Sequence, residues 1–184
     1  MMKSLQVPTR DQVSENNQQI FDNLEKQIGF VPNLYATYAY NDTALGDYLA
    51  FQGRKSTLKA KEKEVINLVV SEVNGCRYCQ SAHTAIGKMN GFNDDEILEI
   101  RSGRASFDAK LDALARFVKD ISVNRTKANH DLVEQLYHVG YTKANLVDIL
   151  MVIGDKTVSN LLYGVGQFEI DFPLAPELEP ALAH

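Results

Sequence analysis

The fold is decided by the stretch Lys61-Glu-Lys-Glu64-Val-Ile-Asn-Leu-Val-Val-Ser-Glu-Val-Asn-Gly-Cys76-Arg-Tyr-Cys79-Gln-Ser-Ala-His83. Its first part repeats apolar side chains at helical spacing, which is typical of a helix with one buried face. These residues are Val65, Ile66, Val69, Val70 and Val73. Asn74-Gly75 is a helix-stop signal, and a second helix is predicted from about Cys76 to Asn90-Gly91. The stretch therefore predicts a helix pair with the cysteines at the start of the second helix.

Helix caps and helix-stop signals recur in the rest of the chain, whereas alternating strand patterns and Asn-Gly hairpins between β-branched runs are missing. A capping box at Thr9 to Gln12 opens a first predicted helix. Further helices are predicted over residues 33–40, 43–53, 59–72, 93–103, 107–123, 129–139 and 142–163. We predict an all-α fold in a single domain, residues 1–184, with a motif core at about 58–91. The proline-containing residues 164–184 are predicted to be an extended tail.

The composition is that of a globular protein, with 184 residues, 45% hydrophobic and 23% charged. The net charge is −5, and 19 basic residues are scattered among 24 acidic ones, so no nucleic-acid partner is expected. The N-terminal residues lack the apolar region of a signal peptide, and no apolar run approaches the roughly 18 residues of a membrane span. We therefore expect no membrane partner and a cytoplasmic location.

Both cysteines of the chain lie in the Cys-x-x-Cys pair, and in a reducing compartment such a pair is more typical of catalysis or metal binding than of a structural disulfide. On a helix, Cys76, Cys79 and His83 would point within about 60° of one another. The amide dipoles at a helix start favour a thiolate, and an imidazole four residues after Cys79 can accept the thiol proton. Arg77 adds positive charge, with its side chain expected to point to solvent. The pattern predicts a dithiol that cycles to a disulfide.

Two plainer interpretations compete with redox chemistry. The cysteines could be small core residues, since free cysteines are often buried. Cys76, Cys79 and His83 could also bind zinc, but a structural zinc site needs a fourth ligand, and the other histidines have no paired spacing. We predict no metal and no cofactor beyond the redox-active disulfide itself.

Glu64, twelve residues before Cys76, completes the pattern Glu-x11-Cys-x-Tyr-Cys-x3-His. This pattern resembles the carboxymuconolactone decarboxylase superfamily, and within it the AhpD-like alkylhydroperoxidase branch. Gly29-Phe-Val-Pro32-Asn33-Leu34 is also similar to its peroxidase-related members. The resemblance implies an AhpD-like helical fold in which two helices bring Glu64 beside the cysteine helix. It also implies a homo-oligomer, usually a trimer or hexamer, and a dimer stays open.

The resemblance further implies a role for each residue. Cys79 would be the peroxidatic cysteine, Cys76 the resolving one, and Glu64 with His83 the proton relay. The substrate would be a small hydroperoxide, and a reduced dithiol protein would restore the thiols. The helix dipole alone favours Cys76 as the more acidic thiol, so the choice of Cys79 follows from the resemblance and from the position of His83.

One position departs from the family pattern, because Tyr78 stands where the well-known members carry a relay histidine. A phenol with a pKa near 10 is a poor base, so Tyr78 would orient water or peroxide, or only pack. Glu64 could alternatively belong to a solvated helix face. Glu72 is a competing carboxylate, for which we expect a role in the last turn of its own helix.

The sequence thus predicts a thiol-dependent peroxidase. A protein disulfide reductase or redox sensor is the first alternative. A carboxymuconolactone-type decarboxylase, whose chemistry needs no thiol pair, and a zinc-stabilised non-enzyme are the others.

Overall fold

The computed structural model describes residues 5–178, and these residues form helices without any strand. Within residues 5–178, nine α-helices follow a 3₁₀-helix at Arg10–Gln12. They are α1 Glu15–Ile28, α2 Asn33–Tyr38, α3 Ala44–Gln52, α4 Ala60–Val73, α5 Arg77–Met89, α6 Asp94–Arg101, α7 Ala109–Asn124, α8 His130–His138 and α9 Lys143–Gly166. The predicted all-α class is confirmed.

The start of the first helix differs from the prediction. The Thr9 N–H donates to Gln12 Oε1 at 2.9 Å, as a capping box requires, but the box caps only the 3₁₀-helix. Val13 is extended, with φ −111° and ψ 163°, which interrupts the helical backbone. Helix α1 begins behind a second cap, Ser14, whose Oγ accepts from the Asn17 N–H.

The described residues form two compact units. Unit 1 contains residues 5–55 and 161–171, and unit 2 contains residues 56–160 and 172–178. Helix α9 contributes residues to both. The single domain over residues 1–184 stays a prediction.

Unit 1 has a small core formed by Val13, Phe21, Ala36, Ala39 and Leu45. Beside it the buried Asn17 donates its side-chain amide to the carbonyls of Ala39 and Asn41. These bonds tie α1 to the turn after α2, because a buried amide is stable only when it is hydrogen-bonded.

Unit 2 is built around α4, which contacts α5, α6 and α7. Four members of its predicted apolar stripe, Val65, Ile66, Val69 and Val70, are fully buried. Each such side chain contributes about 1.5–3 kcal/mol of transfer free energy, so the stripe fixes which face of α4 is buried. Glu64 projects from the opposite side of α4 to this stripe.

The C-terminal part departs from the predicted tail boundary. Helix α9 continues through Gly164 to Gly166, three residues beyond the predicted end, since a glycine weakens a helix without having to end it. Residues 167–178 form no regular element. The rest of the predicted tail, 179–184, lies outside the described residues. None of the described helices combines the length and apolar character of a bilayer-spanning segment.

Candidate active site

The site begins at the turn between α4 and α5. Gly75 has φ 64°, a left-handed conformation that favours glycine, and it reverses the chain after α4. The Cys76 N–H then donates to the carbonyl of Ser71 at 2.9 Å. This contact returns the chain to the end of α4 and sets where α5 begins.

Cys76 is the N-cap of α5 rather than its first helical residue. Its backbone is extended, with φ −80° and ψ 92°, and its Sγ accepts from the Cys79 N–H at 3.3 Å. The helical projection therefore applies to Cys79 and His83 but not to Cys76. In the structure Cys76 and Cys79 are joined by a disulfide, with Cα atoms 5.3 Å apart. The disulfide thus links the N-cap of α5 to the first turn of the same helix.

The disulfide is almost completely shielded from solvent. Cys76 is 2% exposed and Cys79 is 1% exposed. A buried sulfur is reached only by a small molecule or after a local movement.

Glu64 on α4 and His83 on α5 are in direct contact. Glu64 Oε1 lies 2.6 Å from His83 Nδ1, and their side chains are 5% and 10% exposed. Asn67 donates its side-chain amide to the other oxygen, Oε2, at 3.4 Å. The interpretation of Glu64 as part of a solvated face is therefore wrong.

Burial lowers the pKa of His83, because the imidazolium ion loses its hydration. Glu64 acts in the opposite direction and raises this pKa, and Lys156 lowers it. The net direction is below the ordinary value of 6.5, so the imidazole is neutral near neutral pH. In the tautomer that fits Glu64, Nδ1–H donates to the carboxylate and Nε2 keeps its lone pair. His83 is then equipped to accept a proton.

Lys156 on α9 was not found from the sequence, although a signal for it exists. Asp155 and Lys156 stand together in the mostly apolar segment from Leu146 to Tyr163. Charged residues are rarely fully buried unless they are paired, so a charged pair inside such a run marks a position with a specific partner. The structure buries Lys156, with 2% of its surface exposed.

Residues 172–176, which we call the C-terminal strap, lie on the first two turns of α5. The Ala175 carbonyl accepts from Arg77 Nη2 at 3.0 Å, and the Ala175 N–H donates to Ser81 Oγ at 3.1 Å. Tyr78 is 1% exposed and packs edge-on against Phe172, with ring centroids 5.6 Å apart. The expectation that Arg77 points to solvent is wrong, because the strap and Gln80 take its donors.

The competing carboxylate Glu72 belongs to a different contact. Glu72 Oε2 accepts from Arg101 Nε at 2.8 Å, and Arg101 also donates to the carbonyl of Pro176. Glu72, in the last turn of α4, therefore pairs with a buried arginine. This agrees with the expectation that Glu72 acts at the end of its own helix. Among residues 5–178, no group of three or more His, Cys, Asp or Glu is placed to hold a metal ion.

Comparison with known proteins supports the sequence interpretation. Residues 36–120 match the sequence model of the carboxymuconolactone decarboxylase family. This region contains Glu64, Cys76, Cys79 and His83, and over it the predicted family is confirmed. A search of curated proteins found no match.

Several solved structures share the fold. A peroxidase-related protein from Silicibacter sp. TM1040 has a TM-score of 0.78 at 22% identity, with 90% of each chain covered. The alkylhydroperoxidase AhpD core of a peroxidase-related protein from Ralstonia eutropha JMP134 has a TM-score of 0.79 at 19% identity, covering 100% of this chain and 95% of that one. The C82A variant of the debrominase Bmp8, bound to 2,3,4-tribromopyrrole, has a TM-score of 0.75 at 17% identity, covering 92% and 93%. The predicted AhpD-like fold is confirmed.

Proposed function

We propose that this chain, with its carboxymuconolactone decarboxylase family region, is a thiol-dependent peroxidase that reduces small hydroperoxides. The observation that carries the proposal is the Cys76–Cys79 disulfide on the same helix as His83, which contacts Glu64 at 2.6 Å. A buried thiol pair on the same helix as a neutral imidazole with a carboxylate partner has the parts that thiol activation requires. The fold shared with peroxidase-related proteins adds support.

In the first step His83 Nε2 accepts the thiol proton of Cys79. The thiolate attacks the terminal oxygen of the hydroperoxide, the O–O bond breaks, and the leaving alkoxide takes the proton back through His83. Cys79 becomes a sulfenic acid and the substrate leaves as an alcohol. Glu64 stabilises the transient imidazolium through its contact with Nδ1.

In the second step Cys76 attacks the sulfenic sulfur of Cys79. The S–S bond forms, the S–O bond breaks, and hydroxide leaves as water with the proton of the Cys76 thiol. The position of Cys76 at the N-cap supports its ionisation, because the Cys79 N–H points at its sulfur. An external dithiol protein then reduces the disulfide by exchange.

We also propose a homo-oligomer. Within unit 2, helix α9 carries apolar side chains that are exposed in the single chain at helical spacing, namely Val147, Leu150 and Val158. An exposed apolar stripe of this length is typical of an interaction surface.

The proposal is tested on reduced protein whose two thiols are counted before and after one equivalent of cumene hydroperoxide. We expect both thiols to disappear, the mass to fall by two hydrogen atoms, and peroxide consumption to continue when dithiothreitol is supplied. Retention of both thiols, with no peroxide consumed, would reject the peroxidase assignment.

A protein disulfide reductase or redox sensor is the main alternative. This alternative requires fast exchange with protein disulfides and negligible peroxide turnover. 2,3,4-Tribromopyrrole, the ligand in the Bmp8 structure, is a suitable comparison compound, and we expect it to leave the thiols intact. Formation of a lactone decarboxylation product by the Cys79→Ser variant would instead favour the decarboxylase. Zinc in protein purified without chelator would favour the zinc-stabilised non-enzyme.

A further inference from the structure

Two buried polar atoms on α4 have no hydrogen-bond partner among residues 5–178. They are Asn67 Oδ1 and Ser71 Oγ. Ser71 as a whole is 0% exposed. Buried polar atoms in folded proteins are nearly always hydrogen-bonded, so two unpartnered atoms on one helix indicate a place where a polar group of a ligand is bound.

The side chain of Asn67 is oriented by its contact with Glu64. Asn67 Nδ2 donates to Glu64 Oε2 at 3.4 Å, and Glu64 Oε1 lies 2.6 Å from His83 Nδ1. A carboxylate oxygen accepts hydrogen bonds, so the amide nitrogen of Asn67 must face Glu64 and the amide oxygen must be the atom that is left over. This unpartnered acceptor therefore belongs to the same hydrogen-bonded group as the imidazole of His83.

Two contacts set the register of α4 against α5, which pack on each other. At the turn, the Cys76 N–H donates to the carbonyl of Ser71 at 2.9 Å. Glu64 lies seven residues before Ser71, and its partner His83 lies seven residues after Cys76. Because both helices rise equally per residue, α4 and α5 run antiparallel and stay in register between the two contacts.

The two unpartnered atoms lie at the level of the dithiol. Ser71 is level with Cys76, and Asn67, four residues before Ser71, is level with the residue next to Cys79. Around the axis of α4, both side chains point within about 60° of Glu64. Asn67 and Ser71 therefore lie on the side of α4 that meets the cysteine helix.

We propose that Asn67 and Ser71 bind the O–O–H group of the hydroperoxide beside the dithiol. Asn67 Oδ1 is an acceptor and binds the terminal O–H, whereas the Ser71 hydroxyl is a donor and binds the inner oxygen, which carries the alkyl group. An acceptor and a donor at neighbouring positions match the adjacent donor and acceptor of a hydroperoxide. The inference rests on the proposed peroxidase function, and it names the groups that recognise the substrate.

Both contacts act in the peroxide step. The Cys79 thiolate attacks the terminal oxygen, the S–O bond forms, the O–O bond breaks, and the electron pair leaves on the inner oxygen as an alkoxide. The Ser71 hydroxyl stabilises this developing charge in a buried site, where a fixed donor is more effective than in water. The alkoxide then takes the proton held by His83, and Asn67 Oδ1 accepts from the hydroxyl of the sulfenic acid.

The test compares single-turnover thiol loss with cumene hydroperoxide in reduced wild type, Ser71→Ala and Asn67→Ala. We expect Ser71→Ala to lower the second-order rate constant about 100-fold, because a donor to a charged oxygen is lost. Asn67→Ala should lower it about fivefold, because a hydrogen bond between neutral groups is lost. If one variant does not fold, the other is sufficient for the test.

Ser122→Ala is the matched control. Ser122 Oγ on α7 is likewise buried without a hydrogen-bond partner among the described residues, but α7 carries neither a cysteine nor a relay residue. We expect this variant to consume peroxide at the wild-type rate. A loss equal to that of Ser71→Ala would show that removal of any buried hydroxyl slows the reaction, and it would overturn the proposal.

Diamide separates substrate binding from the positioning of the thiols, because it oxidises a dithiol to a disulfide and contains no O–O bond. We expect Ser71→Ala and Asn67→Ala to form the Cys76–Cys79 disulfide with diamide at rates close to wild type. Equal slowing with diamide and with peroxide would assign the two side chains a structural role and overturn the proposal.

The peroxide assay also distinguishes failure of this site from failure of the peroxidase assignment. A wild type that consumes no peroxide rejects the assignment and the site with it. A wild type that consumes peroxide, with both folded variants at the same rate, rejects the site alone.

Discussion

Glu64 Oε1 lies 2.6 Å from His83 Nδ1 although 19 residues separate them in the chain, and both side chains are buried. The contact joins α4 to α5, two helices that pack against each other. A carboxylate held in this way fixes the imidazole tautomer and leaves Nε2 to act as a base. The Glu64–His83 contact therefore gives a specific mutational test.

Glu64→Gln should slow peroxide-driven disulfide formation by about 100-fold, because loss of the charge removes the stabilisation of the imidazolium. The measurement is the single-turnover rate of thiol loss with unchanged circular dichroism. Glu72→Gln is the matched control. It should leave this rate unchanged but lower the free energy of unfolding by about 3 kcal/mol, since Arg101 loses its buried partner. Equal effects of the two variants on the rate would argue against a relay role for Glu64.

The two cysteine-to-serine variants should differ in how they consume peroxide. Cys79→Ser should abolish peroxide consumption, because no thiolate remains beside His83. Cys76→Ser should consume one equivalent of peroxide and then stop, with a sulfenic acid on Cys79 that dimedone traps. Mass spectrometry of the labelled peptide identifies the sulfur. A dimedone adduct on Cys76 in the Cys79→Ser variant would reverse the assigned roles.

The free energy of unfolding should decrease in mild acid, because the folded protein buries His83 as a neutral imidazole. Its pKa is lowered in the folded protein, so the unfolded chain binds the proton first as the pH falls below 6.5. The contribution of neutral His83 to the free energy of unfolding is fully present above pH 6.5. Below that pH it decreases by at most about 1.4 kcal/mol per pH unit, down to the pKa of His83 in the folded protein. Urea unfolding of wild type and His83→Gln between about pH 8 and about pH 5.5 checks this. An equal acid dependence in both proteins would contradict the burial of a neutral imidazole.

The C-terminal strap should limit access of a protein reductant to the disulfide. Ser81→Ala removes the acceptor for the Ala175 N–H, and a loss of about 1 kcal/mol raises the population of an opened strap about fivefold. Reduction by a dithiol protein should accelerate by this factor, whereas reduction by a small phosphine should change little. Arg10→Gln, which removes the exposed ion pair with Asp22, serves as the control and should alter neither rate. Equal acceleration of both reductants would show that the strap does not select by size.

Tyr78→Phe should keep the single-turnover rate within about threefold of wild type, because a phenol with a pKa near 10 is a poor proton carrier. Tyr78→Ala should instead lower the free energy of unfolding by about 3–5 kcal/mol through loss of the buried ring that packs on Phe172. Stopped-flow kinetics and chemical denaturation measure the two effects. A large rate loss in Tyr78→Phe would assign the hydroxyl a part in the relay.

Much of the site could be predicted because its signals are local. The stripe of α4, the helix stop at Gly75 and the i+4 relation of Cys79 to His83 all follow from helical periodicity. The position of Cys76 could not be predicted in the same way. Whether a residue at a helix start is helical or capping depends on a single ψ angle, and the backbone contact with Ser71 sets where the chain turns.

The sequence by itself determined the all-α class and the redox-capable cysteine pair, because each depends on residue type and short-range spacing, whereas Glu64 was singled out by the family resemblance. Only the tertiary structure decided that Glu64 contacts His83, that Glu72 pairs with Arg101, and that Lys156 is buried. These contacts join residues far apart in the chain, and their partners are chosen by how buried apolar faces pack and by the need to compensate buried charge. Periodicity predicts which face of each helix is buried, but not which other element packs against that face.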